Sequence, residues 1–165
     1  MSKLLVRPYT AADIAIANTY DLDQRGVRSE NVYVYICLEN NVAIGVAMGR
    51  ANPGSDTCNL DYIRVQPNRW DAFLALMRRQ AQNGIDTGHK YAEAMVPAKN
   101  PCTQLGTSAA VTGGLTTRVA LTWEEYGKDS TDNSAWAQRT HPELAPLIVR
   151  LDAELVKLKA AVTYG

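Results

Sequence analysis

The sequence has no surplus of charge and no long apolar run. Its 17 basic residues balance 17 acidic ones, which excludes wholesale electrostatic attraction to nucleic acid or to an anionic membrane. The longest apolar runs have the length of a strand, far below the roughly 20 residues that span a bilayer. The first residues show no signal-peptide pattern. We therefore expect a cytoplasmic protein.

Cysteine and histidine are also scarce. Cys37, Cys58 and Cys102 are dispersed, odd in number and without CxxC spacing, so we expect reduced thiols. His89 and His141 are not accompanied by a cluster of acidic or thiol ligands. No metal site is expected from this sequence.

Runs rich in β-branched and aromatic residues predict six strands. Two of them flank a tight turn, Glu39-Asn40-Asn41, which indicates an antiparallel hairpin. The predicted strands are Leu4–Pro8, Val32–Leu38, Val42–Met48, Asn59–Val65, Tyr91–Val96 and Thr116–Trp123.

Helical periodicity occurs at three places in the first 126 residues. Thr10, with Asp13 three residues later, predicts a capped first helix. A second helix is predicted from Arg69, with one apolar face and an end at Asn83-Gly84. A short alanine-rich helix is expected over 103–111. The apolar face of the second helix consists of Phe73, Leu74, Met77 and Ala81.

The C-terminal segment carries apolar residues at spacings of 4-3-4-3-4, which predict an amphipathic helix. Two interpretations are open: the helix docks on its own domain, or it self-associates or binds a protein partner. We predict a domain over 1–126, a linker over 127–134 and a helical extension over 135–165. The apolar seam consists of Leu144, Ile148, Leu151, Leu155, Leu158 and Val162.

Four local motifs occur in a familiar order: Val6–Asp13, Asn41–Ala47, Leu60–Pro67, and Asn100 after a strand. With the sequence of elements over Leu4–Trp123, they resemble the GNAT superfamily of acyl-CoA-dependent N-acetyltransferases. The resemblance implies an α/β (α+β) fold with a mixed, mostly antiparallel central sheet flanked by helices. It also implies acetyl-CoA as the cofactor.

The turn after the fourth predicted strand departs from the family motif. That motif is Arg or Gln, two residues, Gly, one residue, then Gly or Ala, and its glycines let the backbone approach a pyrophosphate. Here the segment reads Arg69-Trp70-Asp71-Ala72-Phe73-Leu74. Ala72 is small enough to be tolerated, Leu74 is expected to crowd the turn, and Asp71 adds a negative charge where a phosphate should lie.

The resemblance implies the residues of the cofactor site. They are Val65, Asn68, Arg69, Trp70, Ala72 and Asn100.

Catalytic groups are sparse in the matching region. The family chemistry needs a base for the attacking amine and often uses a tyrosine as acid. Asp61 and Tyr62 are the candidates for the base region; alternatively, they are a hydrogen-bonded strand residue and an aromatic at the edge of the core. No tyrosine occurs between Lys99 and Leu115, the region of the family's usual acid.

These patterns favour a GNAT-fold protein with weakened or lost catalysis that acts as an interaction or assembly module. By analogy with GNAT-like proteins of tailed phages, it could be a virion or accessory protein. The alternative is an active acyl-CoA-dependent N-acetyltransferase acting on a small amine or a protein amino group. Nucleic-acid binding is less favoured, because a solvated helix face explains the basic residues Arg64, Arg69, Arg78 and Arg79.

Overall fold

A computed structural model describes most of the chain. The described residues are 3–22, 27, 29–89, 91–95, 117–120, 144–158 and 160–165.

The described strands form one seven-stranded mixed sheet in the order β6-β5-β4-β3-β2-β1-β7. Strands β1 to β4 are antiparallel neighbours, while β5 is parallel to β4, β6 to β5, and β7 to β1. The predicted fold class is confirmed. The strands are β1 (Lys3–Pro8), β2 (Val32–Glu39), β3 (Val42–Arg50), β4 (Thr57–Val65), β5 (Tyr91–Met95), β6 (Thr117–Ala120) and β7 (Ala161–Tyr164).

A 3-10 turn (Ala11–Asp13) leads into α1 (Ile14–Thr19), and the other described helices are α2 (Trp70–Asp86) and α3 (Leu144–Lys157). The predicted cap of the first helix is confirmed. Both the backbone N–H and the hydroxyl of Thr10 donate to Asp13 Oδ2, at 2.8 and 3.1 Å. The predicted end of α2 at Asn83-Gly84 is wrong, because Gly84 is buried inside a helix that continues for two more residues.

Two apolar clusters cover the two faces of the sheet. The larger cluster joins the sheet to α2 and α3, and the smaller one joins it to α1. The predicted apolar face of α2 is confirmed, since Phe73, Leu74, Met77 and Ala81 all lie in the larger cluster.

The C-terminal segment adds both a helix and a strand to this architecture. Leu151 and Leu155 are buried in the larger cluster, so at these two positions the seam packs on the chain's own core. The prediction that Val162 is helical is wrong, because this residue lies in β7 beside Leu4. The reason is the run Ala161–Tyr164, whose β-branched and aromatic residues favour a strand that can pair with the free edge of β1.

Several predictions fall outside the described residues: the linker 127–134, the short helix 103–111, and the side chains of Leu144 and Ile148. The boundary between domain and extension therefore stays a prediction. In the part of the chain that is described, no helix has the length and apolarity to cross a membrane.

Candidate functional site

The candidate site lies along the second half of β4, which contains a β-bulge, and at the turn that connects β4 to α2. In the ladder between β3 and β4, Met48 pairs with Tyr62 while Gly49 pairs with Leu60, so Asp61 is the extra residue of a β-bulge. The described pairing of β4 with β5 ends at Leu60 and Ala94. A bulge leaves its extra residue unpaired and bends the strand.

The turn between β4 and α2 closes without glycine because Asn68 adopts the left-handed conformation, with φ 61°. Asparagine tolerates this conformation better than most residues. The N–H of Gln66 donates to the Ile44 carbonyl at 2.9 Å, and the N–H of Arg69 donates to the Gln66 carbonyl at 3.2 Å. Asn68 is exposed and Val65 is half-buried. The turn is therefore held to β3 and presents Arg69 at the start of α2.

Arg69 is bound on both sides by carboxylates. Its Nη1 and Nη2 donate to the two carboxylate oxygens of Glu39, at 2.7 and 3.0 Å. Its Nε and Nη2 donate to the two oxygens of Asp71, at 3.0 and 2.9 Å. The hydrogen bonds from Arg69 to Asp71 and Glu39 raise the pKa of the guanidinium further above its ordinary value. Both pairs are bidentate, the strongest geometry for a guanidinium.

Asp71 also occupies the start of α2. Burial acts to raise the pKa of this carboxyl, but the bonds from Arg69 and from the backbone N–H groups of Ala72 and Asp71 outweigh it and lower the pKa. Unpaired N–H groups and the positive dipole end make a helix N-terminus attractive to anions. In this chain the anion at that position is the chain's own carboxylate.

The remaining residues of the turn take different positions. Trp70 begins α2 and is half-buried, whereas Ala72 is fully buried. The side chain of Leu74 packs in the core between α2 and the sheet. The crowding expected from Leu74 therefore does not arise, and the groups that fill the turn are Arg69 and its two carboxylates.

The two candidate catalytic residues each have a structural partner. Asp61 accepts hydrogen bonds from Nε and Nη2 of Arg50, at 2.7 and 3.3 Å. The Tyr62 hydroxyl donates to the Tyr20 carbonyl, and burial raises the pKa of this phenol. The guanidinium of Arg64 lies over the Tyr62 ring, 5.0 Å from its centroid. The geometry of both residues matches the structural alternative given for them from sequence.

Glu39 is the site residue that sequence reasoning missed, because it stands in a predicted hairpin turn. The sequence did contain a signal for the contact between Glu39 and Arg69. Because β2, β3 and β4 are successive antiparallel strands, β2 and β4 run in the same direction and their C-terminal ends lie at the same end of the sheet. Glu39 at the end of β2 is thereby brought close to Arg69, which follows β4. Asn100, the last candidate for the cofactor site, lies outside the described residues.

The four arginines considered for nucleic-acid binding all have partners within the chain. Besides Arg64 and Arg69, Arg78 bonds to Asp152. The guanidinium groups of Arg78 and Arg79 also lie over tyrosine rings, at 4.6 and 4.5 Å from the centroids. These contacts account for all four residues without a nucleic-acid ligand.

Comparison with solved structures identifies the fold. The chain is similar to an aminoglycoside N-acetyltransferase AAC(6')-Iy in complex with CoA, in one crystal form with a TM-score of 0.51 and 17% identity over 63% of this chain and 87% of that chain. A second crystal form gives a TM-score of 0.49 and 14% identity over 68% and 87%. No protein-family model and no curated protein matches the sequence. The chain therefore has a GNAT-like fold, the fold of N-acetyltransferases.

Proposed function

We propose that this GNAT-fold protein has weakened or lost acyl-CoA catalysis and acts as an interaction module. The observation that carries the proposal is the ion-pair network of Arg69 with Glu39 and Asp71. This network lies at the start of α2, which is the position that the resemblance implies for an acyl-CoA pyrophosphate.

The interaction free energies favour the internal carboxylates over a bound pyrophosphate. A hydrogen bond to a charged group contributes about 1.5–3 kcal/mol, and Arg69 makes such bonds to both acids. A like charge at 4 Å from a carboxylate costs about 4 kcal/mol at an effective dielectric constant near 20. The helix dipole contributes only about 0.3–1 kcal/mol at an exposed end. A pyrophosphate would therefore have to displace Asp71 and Glu39, or bind beside them at a net cost.

The interaction role is supported by the surface of α3. Val149 and Val156 are 71% and 76% exposed, and they lie seven residues apart on the side of the helix opposite the buried Leu151 and Leu155. Exposed apolar side chains on the outward face of a helix are available for contact with a protein partner. This outward face is the partner surface that we propose for α3, since Leu151 and Leu155 of the seam inferred from sequence are buried in the core.

Calorimetry with acetyl-CoA tests the proposal. We expect no heat of binding for the unaltered chain at millimolar ligand, and measurable binding once Glu39→Gln and Asp71→Asn together release Arg69. Asp86→Asn, which removes one negative charge at the other end of α2, is the control and should not bind. Saturable binding by the unaltered chain would contradict the proposal.

The second candidate is an active acyl-CoA-dependent N-acetyltransferase acting on a small amine or a protein amino group. The bulge at Asp61 favours it, because it interrupts β4 beside the point where the described β4–β5 pairing ends. In this case acetyl-CoA binds along β4, and Asp61 or Tyr62 assists deprotonation of the amine. Acetyl transfer that is lost in Asp61→Asn but retained in the exposed-site variant Asp86→Asn would establish this alternative.

A further inference from the structure

We propose that a pocket beside the N-terminal end of β2 binds a small uncharged aromatic molecule that carries one hydrogen-bond donor, of the size of indole. The pocket has a volume of about 220 Å³. Among the described residues it is lined by Pro8, Tyr9, Val27 and Val32–Tyr35. This binding site is independent of the interaction role proposed above.

The end of β1 creates the pocket. The pairing of β1 with β2 stops at Pro8 and Tyr35, and one further bond runs from the Tyr9 N–H to the Val34 carbonyl at 2.9 Å. The chain then leaves the sheet for the 3-10 turn and α1, whereas β2 already begins at Val32. The first residues of β2 pair with β3, and no described strand pairs with them on the other side, where the pocket lies.

One backbone carbonyl faces this open side of β2. Backbone groups of residues two apart in a strand face the same side, so Val32 faces the same way as Val34. The Val32 N–H donates to the Ser29 carbonyl at 3.3 Å. No residue in the described part of the chain donates to the Val32 carbonyl. This carbonyl is therefore an acceptor that a donor on the ligand can satisfy.

The pocket combines a buried inner part with an open mouth. Val34 and Tyr35 are buried, whereas Tyr9, Val27 and Val32 are half-buried and all three pack against the smaller apolar cluster. A molecule can thus enter from the surface and bury much of its own area. A dry apolar cavity of about 150 Å³ binds benzene, so about 220 Å³ leaves room for a fused two-ring molecule.

The lining favours an uncharged aromatic ligand. None of the described lining residues is acidic or basic, and burial of a charge without a partner is costly. The Tyr33 and Tyr35 hydroxyls donate to the Asn59 carbonyl and to Asn83 Oδ1, at 2.9 and 3.1 Å, so these tyrosines offer mainly ring carbon to a ligand. Aromatic rings attract one another beyond the effect of their buried area, which favours a ring over an aliphatic ligand.

The pocket is separate from the candidate site at the start of α2. Val32 and Glu39 are the two ends of β2, seven residues apart, which corresponds to about 23 Å along a strand. The pocket also lies on the β1 side of β2, whereas β3 and β4 lie on the other side. Ligand binding in the pocket should therefore not depend on Arg69 or its two carboxylates.

Calorimetry with indole tests the proposal, and 1-methylindole is the matched ligand that lacks the N–H donor. We expect saturable binding of indole at millimolar ligand and weaker binding of 1-methylindole, because its methyl group replaces the donor to the Val32 carbonyl. In methyl NMR spectra, indole should shift the signals of Val27, Val32 and Val34 and leave the exposed Val149 unchanged.

A substitution that fills the pocket provides the second test. Val32→Phe should weaken indole binding about tenfold or more, because its ring takes the place of buried ligand area. Val42→Phe makes the same change at the first residue of β3, which is 59% exposed, and should bind indole as the unaltered chain does. Urea unfolding establishes that both variants are folded, and the comparison of the two ligands needs no variant.

Three results would each overturn the inference: no saturable binding of indole, equal binding of 1-methylindole, or unchanged binding by a folded Val32→Phe. The double variant Glu39→Gln and Asp71→Asn should bind indole as the unaltered chain does. Binding of acetyl-CoA by the unaltered chain would instead contradict the proposed function, so the two proposals fail separately.

Discussion

The Arg7–Asp13 pair ties the end of β1 to the first helical turn. Arg7 donates from Nη1 and Nη2 to the two oxygens of Asp13, at 2.8 and 2.7 Å, and Thr10 adds two further bonds. The bond from Arg7 is the main cause that lowers the pKa of Asp13 from 3.8 to about 2, against the effect of burial. This carboxylate therefore stabilises the fold only while it is charged.

The pH dependence follows from the direction of that shift. A carboxyl with a lower pKa in the folded chain contributes stability above its unfolded pKa, and the contribution is lost as the pH falls through the folded value. We expect Asp13→Asn to lower the free energy of unfolding by about 1–2 kcal/mol at neutral pH. The difference from the unaltered chain should shrink as the pH falls from 3.8 through about 2.

Urea unfolding at a series of pH values measures this difference. Asp61→Asn is the control, because Asp61 pairs with a half-exposed Arg50 and such surface pairs contribute at most about 1 kcal/mol. An Asp13→Asn effect that is equally large at neutral pH and at pH 2 would show that the loss does not depend on the charge.

At the scale of elements, α3 is held to α2 by an apolar contact and by Arg78. Leu151 is fully buried between the two helices and the sheet. Arg78 bonds to Asp152 on α3 and lies over the ring of Tyr164 on β7. The same arginine therefore links α2 to both C-terminal elements.

A pair of substitutions on α3 separates its buried face from its outward face. We expect Leu151→Ala to lower the free energy of unfolding by about 2–5 kcal/mol, because it leaves a cavity in the core. Val149→Ala should change it by less than about 0.5 kcal/mol, because Val149 is 71% exposed. Urea denaturation measures both, and equal effects would contradict the orientation of α3.

Elements with strong local signals were predictable from the sequence. The β2–β3 hairpin carries its turn signal in Asn40 and Asn41, which both adopt positive φ, and the buried face of α2 follows from the helical period. Strand β7 was not predictable in this way, because Val162 also fits the helical spacing of the preceding leucines. Only the free edge of β1, a tertiary feature, decides between helix and strand at that position.

The candidate site shows the same limit. The sequence places Arg69 and Asp71 two residues apart, so their pairing is a local prediction. Glu39 is thirty residues from Arg69, and their contact depends on the order of three strands. Sequence could therefore indicate an unusual anion at the turn, but not that two carboxylates hold the arginine.

For the whole molecule, the C-terminal segment decides whether the chain is one folding unit or a domain with an extension. Leu151 and Leu155 are buried with α2, and β7 pairs with β1 along residues Lys3–Val6. Removal of each buried leucine side chain alone costs about 2–5 kcal/mol, against a total stability of about 5–15 kcal/mol for a domain. Loss of the C-terminal segment would therefore remove most of the free energy of unfolding.

We expect a chain ending at Ser134 to lose cooperative unfolding, because it exposes the face of α2 that Leu151 covers and frees the edge of β1. Circular dichroism during urea denaturation measures this, with the full chain carrying Thr163→Lys as the control that should keep its transition. A truncated chain with an unchanged, cooperative transition would instead support an independent domain over residues 1–126. Partial stabilisation on adding a peptide of residues 144–165 would show that the segment contributes its contacts without covalent linkage.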